Sequence, residues 1–420
     1  MAIDFKQAKL HNGLTIIAES DPNAHTSAIG FFVKTGARDE KSEVMGVSHF
    51  LEHMMFKGTE SRSAEQVDQD FDNLGAQHNA FTSGEMTVFY AHMLPEHLGK
   101  AQEILSDIMR PSIRQADFDD EKSVIIEEIA MYEDHPFWVL YEKVMEAYFK
   151  THPMGHRVLG TRQTVADLSR HQMQEYFMRR YSADNTVVAL AGKMDFDDVV
   201  SQLTDQCGNW NSTQTVREYQ AEDITASELT IDSEKVNRHY RLMLSPAPSL
   251  QDDRRYAASI LTQILGGSDG SRLHWALIET GIAEDASAEY DGHDQLGQFL
   301  VHSVCNPEDA QKVEQIISQQ QNNLADSLTD DDLLRVRSKI ATNATLGGEL
   351  PAGRMQRLGR LWTYYSEYWS LDEELARINA VTLDDLKQVN RDFPFEPCVA
   401  GQLRPSSPTP SLAGDAQRPS

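Results

Sequence analysis

The chain has 420 residues, 40% of them hydrophobic and 25% charged, which is more than one ordinary core can use and calls for two or more domains. Its 38 basic against 65 acidic residues leave a net charge of −27, which argues against a nucleic acid or an anionic membrane as partner and favours basic ligands. The start, MAIDFKQAKLHNG, has no apolar targeting segment, and no apolar run approaches the roughly 18 residues of a membrane span, so a soluble, cytoplasmic protein is expected. Cys207, Cys305 and Cys398 are an odd three with no C-x-x-C pair, which indicates neither a disulfide framework nor a thiolate metal site.

In chain order, strand signals at LTIIAE and SAIGFFVKTGA come first, and Val44 through Phe56 then has the apolar spacing of a helix. Within it, GVSHFLEHMMFKGTE puts His49, Glu52 and His53 on one helical face, because 3.6 residues per turn align positions i, i+3 and i+4. Ser63 reads as the N-cap of AEQVDQDFDNLG, the strands AQHNAFTS and MTVFYAHML follow, and Pro95 begins another helix. The pattern is helical again from Arg114 to Ala147, with Glu121 and Glu128 inside it. After the loop THPMGHRVLGT come a helix behind Ser169 and the strand NTVVALAG. The polar stretch 211–228 is the expected linker between a first half, 1–210, and a second, 229–403.

VADLSRHQMQEYF and INAVTLDDLKQVN align with Ser169 over Thr382, and each is followed by a strand, NTVVALAG or PCVAGQL. That echo at half the chain length suggests a duplicated α+β unit. The aromatic run Trp362, Tyr364, Tyr365, Tyr368 and Trp369 reads as core or interface, and the loop from Gly266 to Ser271 lacks the lysine of a phosphate loop. Residues 404–420, rich in proline, are expected to be disordered.

His49, Glu52 and His53 have the makings of a catalytic zinc site: two neutral nitrogen ligands, and a carboxylate near the metal without occupying it. Two ligands do not suffice. Glu128, with Glu121 two turns earlier on the same face, is a candidate third; solvated helix carboxylates are the alternative for both. His78, His92, His97, His135 and His152 lack ligand spacing.

The segments HFLEHMMFKGT, NAFTSGEMTVFYAHML and EKSVIIEEIAMYED resemble the pitrilysin/insulinase family of inverted-zincin (HxxEH) metallopeptidases, in its bacterial, mitochondrial-processing-peptidase-like branch. The resemblance extends to about residue 403 through LGGSDGSRL and RMQRLGR. It implies a zinc metalloendopeptidase binding one Zn2+ through His49, His53 and Glu128, with Glu52 as general base and Glu121 supporting the site; Glu127 is the rival to Glu128. It implies an α+β fold of two homologous halves, each a mainly antiparallel sheet packed with helices, facing each other as a clamshell. Substrate, a peptide or unfolded segment, would add as a strand along Asn79, Ala80, Phe81 and Thr82.

One family feature is missing. Where relatives carry an Arg and a Tyr in the second half, this chain has Leu277 and Glu284. Three readings follow: a zinc-bearing subunit completed by an Arg/Tyr-bearing relative, a self-sufficient homodimeric or single-chain peptidase using donors such as Arg272 or Tyr290, or a catalytically impaired peptide-binding scaffold.

Overall fold

Period-two and helical apolar patterns build two sheets with their helices, and the computed structural model describes residues 3–220, 224–267 and 269–406. The first half begins with β1 (Asp4–Lys9), β2 (Thr15–Ser20), β3 (Ser27–Val33), α1 (Val47–Met55), α2 (Ala64–Asn73), β4 (Gln77–Thr82) and β5 (Thr87–Met93). It continues with α3 (Leu98–Ile108), α4 (Gln115–Glu133), α5 (Pro136–Phe149), α6 (Arg162–Asp167), α7 (Arg170–Arg180), β6 (Thr186–Gly192) and α8 (Phe196–Cys207). The second half opens with β7 (Ser227–Ser233), β8 (His239–Pro246), α9 (Arg255–Gly266), β9 (Ala283–His293) and β10 (Leu296–Cys305). It closes with α10 (Ala310–Asn322), α11 (Asp330–Gly347), α12 (Pro351–Tyr365), α13 (Leu371–Ala380), α14 (Leu383–Asp392) and β11 (Val399–Pro405).

The sheet orders are β1-β2-β6-β3-β5-β4 and β7-β11-β8-β10-β9. Without β1 they coincide, each with one parallel pair at the same place, β2–β6 and β7–β11, and antiparallel pairing elsewhere. This is the expected α+β class with two similar halves. The sequence echo has a structural counterpart, since Ser169 and Thr382 close capping boxes on α7 and α14.

The halves also trade a helix. Helix α5 packs on β8 and β11 of the second sheet, and α12 crosses to β3 and β6 of the first. Leu140, Val144 and Tyr148 join Leu242, Leu244 and Val399 in one core, while Met355 and Leu358 join Ile17, Phe32 and Val88 in another. Glycine permits both close approaches: a Cβ on Gly359 would lie 2.2 Å from the Phe32 ring, and one on Gly401 2.4 Å from Val144 Cγ2.

A buried ionic cluster joins the halves. Asp294, in the β9–β10 turn, faces Lys34 Nζ at 3.0 Å and Arg217 Nη1 at 3.2 Å and accepts from the Tyr219 hydroxyl at 2.8 Å. Its backbone N–H donates to Glu85 at 3.1 Å and its carbonyl accepts from Arg38 at 2.7 Å. Arg217 also donates to Asp39 at 2.7 Å. Such buried charges persist only when every partner is in place, so residues 211–228 hold a structural arginine rather than a bare tether.

Four boundaries differ from expectation. The helix read from Arg114 to Ala147 is two, because Pro136 cannot continue a helix and instead starts α5. Strand β1, polar along one edge, carried no strand signal. Strand β7 begins at Ser227, inside the expected linker. Strand β11 takes in Arg404 and Pro405, which pair with Asp232 and Ser233; residues 407–420 of the expected tail lie outside the described residues, as does Ser268 of the Gly266–Ser271 loop. Among the described residues no helix is long and apolar enough to cross a membrane.

Candidate metal centre

Helix α1 buries Val47, Phe50, Leu51, Met54 and Met55, with Phe50 stacked on Phe118 of α4 at 4.8 Å. Beside that packing the next face carries His49, itself buried, with Glu52 and His53 half-buried. The start of α1 is held by Glu40, whose carboxylate oxygens accept the N–H groups of Gly46 and Ser48 at 2.7 Å each, where the helix dipole favours an acid.

Helix α4 brings Glu128 to the same spot. Glu128 Oε2 is 3.7 Å from His49 Nε2 and 3.8 Å from His53 Nε2, and one donor atom from each of the three residues falls within 4.8 Å of the others. Glu127 is exposed and stands outside this group. Two turns back on α4, Glu121 is buried; its Oε1 is 2.8 Å from His53 Nδ1 and its other oxygen meets Lys57 Nζ. A carboxylate on Nδ1 fixes the ring and leaves Nε2 facing the group, the arrangement used by metal-binding histidines. Two imidazole nitrogens and a carboxylate oxygen suit zinc better than calcium or magnesium, which prefer all-oxygen sets.

Electrostatics differ between the two rings. Burial, helped by His53, lowers the His49 pKa to about 4, so this imidazole is neutral near pH 7. For His53, burial is outweighed by Glu121, Glu128 and Glu52, which raise its pKa by favouring a positive charge at the ring. Burial raises the Glu52 carboxyl above the usual range, against the Thr82 hydrogen bond and His53, while Glu128 adds to the rise.

Thr82, the last residue of β4, donates its hydroxyl to Glu52 Oε2 at 2.6 Å. Strand β4 is the edge of the first sheet and pairs with β5 alone, so Asn79, Ala80, Phe81 and Thr82 lie on an open edge that ends at Glu52. Beside Thr82 is a cavity of about 290 Å³ whose walls include Tyr132, Trp138 and Tyr141 from the first half and His293 from the second.

The second-half positions have partners of their own. Leu277 is fully buried in the second core, and Glu284 is exposed and paired with Arg238. Arg272 is engaged by Ser327 and Asp332, and Tyr290 donates to the Pro248 carbonyl at 2.8 Å. Sequence reading missed the Thr82–Glu52 bond, Lys57 and the Glu40 cap; only Lys57, one turn beyond His53, stood where spacing alone could have found it.

Comparison with known proteins gives a consistent result. Residues 15–162 match the model described as Insulinase (Peptidase family M16), and residues 167–340 the one described as Peptidase M16 inactive domain. An uncharacterized zinc protease of Bacillus subtilis (strain 168) is 29% identical over 409 residues, covering 97% of this chain and 100% of that protein. One from Mycobacterium tuberculosis (strain H37Rv) is 31% identical over 414 residues, covering 97% and 94%. The crystal structure of a protease from Helicobacter pylori has the same fold, with a TM-score of 0.90 at 18% identity, over 96% of this chain and 100% of that one.

Proposed function

Because the chain belongs to the insulinase family, peptidase family M16, we propose that it is a zinc-dependent endopeptidase of the inverted-zincin type that hydrolyses peptides or unfolded polypeptide segments. The supporting observation is the meeting of His49, His53 and Glu128 within 4.8 Å, with Glu52 close by and outside the group.

His49, His53 and Glu128 would hold the ion, and Glu121 keeps the His53 ring oriented. Bound zinc supplies Lewis acidity at neutral pH, polarising the scissile carbonyl and acidifying water. Glu52 takes the proton of the attacking water on Oε1, since Thr82 occupies Oε2, and passes it to the amide nitrogen as the C–N bond breaks. The substrate backbone pairs with Asn79–Thr82, which explains a demand for extended chains.

Metal analysis tests the ligand set. Purified protein should hold about one zinc per chain, His53→Ala should hold none, and Glu128→Gln should lose metal where Glu127→Gln keeps it. Stoichiometric zinc in His53→Ala overturns the assignment.

A second reading, a zinc-bearing subunit completed by an Arg/Tyr-bearing relative, draws on the burial of Leu277 and the pairing of Glu284 with Arg238. One absent oxyanion donor costs roughly 10²–10³ in rate. Zinc-loaded protein that gains that much activity on mixing with such a relative supports the subunit; full activity alone, as monomer or homodimer, rules it out.

A further inference from the structure

The duplication that matches β2-β6-β3-β5-β4 to β7-β11-β8-β10-β9 also matches α1 with α9, α4 with α11 and α5 with α12. Helices α5 and α12 even begin alike, each with proline at its first turn. The second half therefore contains a counterpart of the metal-centre cleft, and there a cavity of about 460 Å³ opens between α9, α11 and α12. Helix α9 presents Tyr256, Ser259 and Ile260 to it, at the same i, i+3, i+4 spacing that carries His49, Glu52 and His53 on α1. That set cannot hold a metal.

The cavity is cationic instead, in a chain with a net charge of −27. Arg255, Arg357 and Arg360 line it, against Glu374 as the carboxylate among the described lining residues. Glu374 accepts from the Tyr256 hydroxyl at 2.9 Å and from Trp369 Nε1, and that hydroxyl in turn accepts from Arg255 Nη2 at 2.9 Å, so Glu374 reaches Arg255 only through Tyr256. Arg357 is occupied by Glu19 and the Trp369 carbonyl. Arg255 is buried, with its guanidinium 4.3 Å from the Tyr256 ring centre, 5.3 Å from that of Tyr365 and 5.9 Å from that of Trp369. It donates to the Asp252 carbonyl at 3.3 Å and to the Tyr256 hydroxyl, and its carboxylate neighbour, Asp253, is 3.5 Å away and fully exposed. Arg360 is exposed and makes no ion pair or side-chain hydrogen bond among the described residues.

Two guanidinium groups without a buried counter-ion match a planar carboxylate, which arginine binds as a two-pronged fork. An arginine fork serves a phosphate as well, so the choice of a carboxylate rests on the rest of the lining. Its aromatic walls, Tyr256, Tyr364, Tyr365 and Trp369, accept an apolar body, and the positive end of the α9 dipole acts in the same direction. We propose that this cleft is a second ligand site, for a carboxylate borne on an apolar or aromatic body. Both the C-terminal residue of a peptide and a free aryl-alkyl acid have that chemistry. The site does not depend on hydrolysis in the first half.

Titration calorimetry on the full chain tests it, using His53→Ala so that the metal centre offers no competing site. The probes are N-acetyl-phenylalanine, the tripeptide Ala-Ala-Phe and its C-terminal amide. The acid should bind about tenfold or more tightly than the amide, and Arg360→Ala, a change at an exposed position, should remove that preference. Arg255→Lys keeps the charge but loses the fork and should weaken binding too. A tripeptide that outbinds N-acetyl-phenylalanine identifies a peptide terminus as the ligand; equal affinity identifies the small acid. Amide binding equal to acid binding, affinity unchanged in both arginine variants, or no binding at roughly millimolar probe overturns the proposal.

Discussion

Helix α1 of the first half and helix α9 of the second stand at equivalent places against sheets of the same strand order, and both bury an apolar face: Phe50, Leu51 and Met54 in one, Ala258, Leu261 and Ile264 in the other. Their other faces share nothing. One carries two imidazoles and a carboxylate; the other carries the Tyr256 phenol and the Ser259 hydroxyl beside arginines, with Ile260 buried in the second core at its floor. The core-facing positions sustain the fold, and the chemistry occupies positions that packing leaves free, which is how one architecture serves two different clefts.

The largest way to sharpen that contrast is at the bases of the two helices' polar faces. Glu52→Gln keeps size and removes basicity, so hydrolysis of a long unstructured peptide should fall about 10²–10⁴-fold while zinc stays bound. Ser259→Ala on α9 should leave turnover unchanged. An active, zinc-loaded Glu52→Gln protein would sink the mechanism.

Next in size is the support beneath the metal ligands. With Pro136 laid on Pro351, buried Glu121 falls on buried Val336 and Glu128 on Asn343. Glu121→Gln should weaken zinc affinity about 10–100-fold, measured by chelator competition, because His53 loses its charged partner. Unchanged affinity would reduce Glu121 to a packing role.

The exchanged helices allow a test of equivalence. Gly359→Val drives a side chain into the Phe32 ring and Gly401→Val drives one into Val144, and each should cost about 1–3 kcal/mol in denaturant unfolding. A large effect at one glycine and none at the other would break the symmetry of the two crossings.

The smallest effect is expected from pH, at the cluster where the halves meet. Burial opposes ionisation of Glu85, yet His293, Arg217 and Arg38 hold its pKa down to about 2, below the ordinary 4.5. Burial likewise opposes charge on His293, yet Asp291 and Glu85 raise its pKa to about 9 from 6.5. The Glu85 contribution is complete above pH 4.5 and is lost as pH falls toward 2; the His293 contribution is complete below pH 6.5 and is lost as pH rises through 9. Denaturant midpoints should therefore be highest between pH 4.5 and 6.5 and decline toward 9. In His293→Gln the alkaline decline should flatten; an identical profile would remove His293 from the account.

Local signals were legible in the sequence. The spacing of His49, Glu52 and His53 on an amphipathic stretch, and of Glu121 and Glu128 on another, depends only on helical period, and the structure brings both faces together. Non-local choices were not legible. Nothing in Pro136–Phe149 says that its apolar side belongs to a sheet formed a hundred residues later, because periodicity reports that a face is buried and not against what. Arg217 was hidden for the opposite reason: in a polar segment a buried arginine looks like a solvated one until Asp39, Glu85 and Asp294 surround it.

The traded helices bear on descent and assembly. A polypeptide ending near residue 210 would present a sheet lacking the cover that α12 gives Phe32 and Val88, and would carry α5 with nowhere to lay Val144. Two copies of such a polypeptide would cure each other's deficit by reciprocal donation, forming a closed, intertwined pair about a twofold axis with two equal centres. Joining such protomers end to end would give the present topology, in which each cleft can carry its own chemistry while its helix stays indispensable to its neighbour's sheet.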